Sequence, residues 1–282
     1  MVDWIKEILS GFFVEGAQTL FDGLLDFVFK CIAFSIIQPT EPGQYVTKFP
    51  SYLGGVQLFA AGLLIVFVVL AVFRQISGVL YMGDKSLGTY AINITLAGAF
   101  IYVLPKIVTL VFIPINNSLI GWLAKIGFES GKISALLAAG YAAAMNPVIG
   151  VMFLILLLGL LAFAVAGAIR YIEVLIAILI APIAAISLVN NGDGLQIWFR
   201  ETISIVFTQT IHFLILQMLI SIMVGIENIT IMVLLSIGCV AVGLKGPQIL
   251  RQFMYKTGTT SAAVSTAGST SRIGMMSLMS RK

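Results

Sequence analysis

The sequence predicts an all-α, polytopic membrane protein of five to six transmembrane helices, and three observations carry that prediction. Mean hydropathy is +1.08, with 60% hydrophobic and only 10% charged residues, far outside the range of water-exposed globular domains. The apolar residues fall in runs near the roughly 20 residues that one crossing of a bilayer requires. Most of the charges lie outside those runs, and behind the last they are all basic. A soluble fold is excluded, and the formal net charge of +4 speaks to orientation in a membrane rather than to a nucleic-acid footprint.

The opening MVDWIKEILSGFF has an early acid and no basic region followed by a small-residue cleavage site. It is therefore not a cleavable signal, and the first span serves for insertion. Within residues 1–37, Ile5, Ile8, Leu9, Phe12, Leu20, Leu24 and Val28 recur at helical spacing, while Glu7, Glu15, Asp22 and Asp26 occupy the complementary face, with Lys30 one turn after Asp26. The pattern predicts an amphipathic helix with a mainly acidic polar face. Anionic cytoplasmic leaflets favour Lys and Arg on such a face, so an outer location or a protein partner fits better; the alternative is packing on the protein's own bundle.

Residues 38–54 begin as a Pro- and Gly-containing loop, and 55–244 form the transmembrane domain. Gly55–Phe73 is its first span, and Leu87–Leu104 returns across the membrane to a predicted kink at Pro105 and a snorkelling Lys106. The segment 108–132 reads as interfacial helices and turns around Trp122. Residues 134–145 are a small-residue helix too short to cross, suited to close helix approach. Asn146-Pro147 is a helix start, since Asn caps free N–H groups and Pro at the first position has none to leave unpaired. Ile203–Val224 and Ile229–Leu244 are the last spans, joined by a tight turn. The tail, 245–282, carries Lys245, Arg251, Lys256, Arg272, Arg281 and Lys282 without an acid. It is predicted to be cytoplasmic and, from Thr257 onward, disordered.

The stretch Asn146–Asn190 is too long for one crossing and leaves almost no loop for two, yet it contains Arg170, Glu173 and Pro182. With the N-terminus outside and the tail inside, the number of crossings must be odd. Five crossings, plus a re-entrant segment that enters at Tyr171, breaks at Pro182 and leaves by Asn190, place Arg74, Lys85, Arg170, Arg200 and the tail on one side. A kinked but complete span is the alternative. Re-entrant backbone is tolerated only where protein or a water-filled cavity satisfies its polar groups.

Candidate functional residues follow from polarity in apolar surroundings. Arg170 and Glu173, at i and i+3, can meet on one helix face. Each would cost about 2.5–3.5 kcal/mol at mid-membrane, so they form an interface or pore-rim pair or share a headgroup layer. Gln209, His212 and Gln217 lie in one broad sector of a helix, where they either line a polar conduit or hydrogen-bond between helices. His212 is the only histidine, so no metal cluster is readily built on it. Cys31 and Cys239 read as small buried hydrophobes. No metalloprotease helix, phosphate-cradling glycine loop or nucleophile with a base is present, so no catalytic, cofactor or metal site is expected and the chain is not expected to be an enzyme.

The segment RYIEVLIAILIAPIAAISLVNNGDGLQIWFRETISIVFTQTIHFLILQMLISI resembles the TrbL-type polytopic subunit of type IV secretion systems, in the short form found in conjugative elements of Gram-positive bacteria. The features shared are Arg-x-x-Glu entering an apolar run with an internal Ala-Pro, an aromatic-plus-Arg turn, and a span with Thr-Gln near its start. The resemblance covers about 147–244. It implies a channel-forming or channel-supporting subunit at the cytoplasmic membrane, working with a secretion ATPase and a bitopic scaffold subunit to move a relaxase-bound DNA strand. It brings no catalytic residue and no cofactor.

The expected assembly is a homo-oligomer joined through the Gly/Ala-rich faces of 134–168, with Tyr171–Asn190 and the Gln209/His212/Gln217 face toward its axis. The rival is a small-solute transporter, which predicts paired broken helices in two similar halves; only one Pro-broken segment is present. A non-conducting membrane scaffold is the third possibility.

Overall fold

The computed structural model describes residues 23–24, 26–76, 87–127, 147–189, 192–226 and 228–256, and every regular element among them is helical. Helix α1 covers 26–32 and passes into a π turn, Ala33–Ile37. Then come α2, Phe49–Ile76; α3, Leu87–Ile107; a π turn, Val108–Phe112; α4, Ile113–Gly127; α5, Pro147–Ile186; α6, Asp193–Gly225; and α7, Ile229–Lys256. Among the described residues, five helical stretches are long and apolar enough to cross a membrane. The short helix expected at 134–145, most of the amphipathic segment 1–37 and the tail beyond Lys256 lie outside the described residues.

Contacts divide the chain into two compact units. The first gathers Met1–Thr40, Asn116–Tyr171 and Phe207–Gly246. Its core joins Val28, Ile32 and Ile36 to Ile120 of α4, Phe153, Leu157 and Leu160 of α5, Phe213 and Leu216 of α6, and Val233 and Val240 of α7. The described part of the amphipathic helix thus buries its apolar face in the protein's own bundle, and its Asp26–Lys30 ion pair, 2.6 Å apart, stays exposed on the other face. At the start of α7, the side-chain oxygen of Asn228 accepts the N–H groups of Thr230 and Ile231 at 3.1 and 3.3 Å, the cap expected of Asn.

The second unit gathers Glu41–Ile115, Ile172–Val206 and Pro247–Lys282. Here α3 packs against α2 and against a 3₁₀ turn, Ser187–Val189. The predicted end of the second span at Pro105 does not occur, because the helix continues through Pro105 and the π turn into α4. Proline removes the N–H that would bond the carbonyl four residues earlier, which is Ile101. Gln57 of α2 donates its side-chain amide to that carbonyl at 3.5 Å. Within the loosened turn, the Thr109 hydroxyl donates back to the carbonyls of Pro105 and Lys106 at 3.1 and 3.2 Å.

The predicted break at Pro182 is corrected as well. Helix α5 runs unbroken through 40 residues with Pro182 inside it, so Tyr171–Asn190 is no hairpin centred on the proline. One missing N–H, the one that would bond the Ile178 carbonyl, costs a single hydrogen bond; beside it the Trp198 indole of α6 donates to the Ala177 carbonyl at 2.8 Å. Reversal comes later, where Gly192 adopts φ +79°, a left-handed value that a side chain rarely allows. The Ser187 hydroxyl donates to the Ala184 carbonyl at 2.7 Å and accepts the Leu195 N–H at 2.8 Å, closing the corner. Replacing Trp198 by Phe keeps the buried ring and removes this donor; the expected loss is about 1 kcal/mol, read as a lower unfolding temperature in detergent.

The loop read over 38–54 is shorter than expected, since α2 begins at Phe49. The last helix is longer than its apolar run, continuing past Gly246 to Lys256.

Candidate functional site

The buried polar groups of the first unit converge on Gln209. Helix α1 ends in a π turn because the Gln38 N–H donates to the Ala33 carbonyl, five residues back, at 2.9 Å. Gln38 itself is extended (φ −64°, ψ 141°), the conformation that a following proline imposes. A helix end leaves carbonyls without intrahelical partners. Gln209 supplies them: its amide nitrogen donates to the Ile36 carbonyl at 3.0 Å and the Gln38 carbonyl at 2.8 Å.

The other end of the same amide is an acceptor for three donors. Thr40 Oγ1 donates to Gln209 Oε1 at 2.8 Å, Asn116 Nδ2 at 2.9 Å and Arg170 Nη1 at 2.7 Å. The Arg170 Nη2 group also donates to Thr40 Oγ1. Around this centre the Thr210 hydroxyl donates to Asn116 Oδ1 at 2.8 Å. Asn117 and Thr40 exchange two bonds, Thr40 N–H to Asn117 Oδ1 and Asn117 Nδ2 to the Thr40 carbonyl, each 3.1 Å. Gln209 is 1% exposed, Arg170 3% and Asn116 0%. The cluster therefore ties α1, α4, α5 and α6 together through hydrogen bonds whose centre, at Gln209, is buried.

His212, one turn further along α6, is fully buried, with its ring edge-on to Phe163 at 4.9 Å between centroids. Gln217 donates to the Leu123 carbonyl near the end of α4 at 2.7 Å. Of the two roles open to this sector, interhelical hydrogen bonding describes Gln209 and Gln217. Among the described residues no group of three His, Cys, Asp or Glu side chains is placed to hold a metal ion.

A family model for the conjugal transfer protein TrbL matches residues 2–282. The chain belongs to that family. Neither a curated relative nor a solved structure matches it. As a TrbL-family protein with five membrane-capable helices, it is a multi-pass membrane component of conjugal transfer.

In this TrbL-family chain the expected pairing of Arg170 with Glu173 gives way to separate partners. Arg170 joins the Gln209 cluster, whereas Glu173 Oε1 lies 3.6 Å from Arg251 Nη2 in the second unit, and Arg251 Nε lies 3.0 Å from Glu201 Oε2. Arg251, assigned by sequence only to the basic tail, thus fastens the end of α7 to α5 and α6. These three side chains are 30–39% exposed, so solvent screens them, and Arg251→Ala is expected to cost under ~1 kcal/mol. Its effect should shrink further as salt is raised, which unfolding curves at two ionic strengths would show.

Sequence reasoning found Arg170 and Gln209 but missed Thr40, Asn116, Asn117 and Thr210. The signal for the asparagines was Asn116-Asn117 inside the apolar run VFIPINNSLIGW, where two adjacent amides require partners once the run is helical. For Thr40, in a loop, no comparable signal exists.

Proposed function

We propose that this protein is a channel or scaffold subunit of a conjugative type IV secretion apparatus in the cell membrane, supporting translocation of relaxase-bound DNA or protein. The observation that carries this reading is the TrbL family match over nearly the whole chain. The protein acts without catalysis of its own, as a homo-oligomer beside a secretion ATPase and a bitopic scaffold subunit, in a Gram-positive host. Its N-terminus faces outward and its basic tail the cytoplasm. Because Arg251 contacts Glu173 and Glu201, a cytoplasmic tail brings those two carboxylates to the cytoplasmic side with it.

Within a protomer, Arg170 and Gln209 fasten helices and His212 fills the adjoining interior; the burial of Gln209 and His212 in one chain favours that role over facing a conduit. Gln217 fastens α6 to α4 in the same way, and Pro182, with Glu173, shapes the end of α5.

The reading is tested by deleting the gene from its conjugative element, complementing it with a tagged copy, and precipitating formaldehyde-crosslinked transfer DNA through the tag. Loss of transfer on deletion, with recovery of transferred-strand DNA, is expected. Undiminished transfer by the deletion strain would remove the assignment; dependence on the chain without DNA recovery would favour the scaffold form.

A further inference from the structure

We infer that the outward ridge of α5, formed by Ile172, Ile176, Ile180 and Ile183, seats against helix α2 of a second copy of this chain. The inference deepens the homo-oligomer proposed above and rests on it. These four isoleucines are 41–50% exposed and follow one another at helical spacing. The apolar outward face of α5 begins at Val151 and Leu154, so from Val151 to Ile183 it runs over 32 residue steps, about 48 Å at 1.5 Å per step. Hydrocarbon is about 30 Å thick, and helices tilt by up to about 40°, which still leaves apolar surface that lipid cannot cover. Protein must cover the excess.

The chain itself presents a matching surface. Helix α2 is the least covered of the membrane-capable helices, with 6% of its span buried. On one face it exposes Gly55, Leu58, Gly62 and Ile65. A Cβ built on either glycine would meet nothing within 4 Å, so each leaves a hollow beside a bulky neighbour; Leu58 is 76% exposed. The hollows are seven residues apart, about 10.5 Å along the helix, and Ile176 and Ile183 are spaced identically. Ridges entering grooves at matched spacing are how helices pack, and in a membrane such van der Waals contact at small residues is a principal source of association. Neither face carries a charge that would select a foreign partner. By contrast, Gly159 and Gly167 of α5, in the region first expected to join protomers, are filled from within the protomer: a Cβ there would lie 3.1 Å from Val240 and 2.9 Å from Ser35.

The test uses full-length protein with Cys31 and Cys239 replaced by Ala. In like-oriented copies α2 and α5, the first and third spans, run parallel, so Gly62 faces Ile183; Gly62→Cys and Ile183→Cys variants carrying different tags are co-expressed, and their membranes are oxidised. A disulfide-linked species bearing both tags is expected, several-fold more abundant than from Gly62→Cys with Leu154→Cys. Native mass spectrometry of the solubilised protein is run in parallel. Oligomers without the Gly62–Ile183 product, or with equal product from Leu154→Cys, overturn this interface and leave oligomerisation standing. A monomer alone overturns both.

Discussion

Gln209→Leu should be the most damaging single substitution in the described bundle, lowering stability by about 3 kcal/mol. Interhelical hydrogen bonds in membrane proteins average about 0.6 kcal/mol each, and Gln209 makes five of them, three as acceptor and two as donor. Leucine preserves volume but leaves Arg170, Asn116 and the carbonyls of Ile36 and Gln38 to find new partners in the interior, where an orphaned polar group costs about 1–3 kcal/mol. Gln209→Glu distinguishes polarity from fit. It retains an acceptor for Arg170 but sets an oxygen against the two carbonyls that now receive the amide N–H groups, so it too should destabilise. Arg170→Ala should cost less, because Thr40 and Asn116 still donate to Gln209. Combined with Gln209→Leu it should add little, since the two share a network. Unfolding followed by tryptophan fluorescence in detergent measures all four variants. If Gln209→Leu unfolds at the wild-type temperature, the cluster is not what holds these helices.

How much of this arrangement the sequence disclosed depends on whether a residue's signal is local. Spans announced themselves because a run of apolar residues means the same thing wherever it sits. Arg170 and Gln209 stood out for the converse reason, each being costly in an apolar run. Their partners did not, because which carbonyl needs a donor is settled by the path of a chain up to 173 residues away. The prolines show the same limit. Pro105 and Pro182 each remove one hydrogen bond, and from sequence alone that reads as the kinked end of a span at the first and as a break or a kink at the second. Neither helix ends there: at Pro105 Gln57 supplies a donor from another helix to the freed carbonyl, and at Pro182 one missing bond is a small loss beside the rest of a 40-residue helix. Arg251 illustrates a third case. Its place in a run of cations gave an expectation about the side of the membrane for the tail, while its pairing with Glu173 and Glu201 followed only from the extension of α7 past its apolar segment.

Packing supplies the second large effect, and it should reverse sign between two glycines of one helix. Gly243 is buried in α7 where a Cβ would lie 2.7 Å from Phe163 Cε2 and 3.2 Å from Ile215 Cγ2. Phe163 is 1% exposed and held edge-on to His212, so its ring cannot swing away, and Gly243→Ala must push α7 off α5 and α6. Overpacking of this kind costs about 1–3 kcal/mol. Gly238 lies in the same helix, but its added methyl would meet nothing within 4 Å. There only the backbone entropy of glycine changes, and Gly238→Ala should stabilise by roughly 0.5–1 kcal/mol. A lower unfolding temperature for Gly243→Ala with a higher one for Gly238→Ala is therefore expected. Equal shifts of the same sign would mean that α7 does not meet Phe163 as described, and the close approach that shields His212 would have no support.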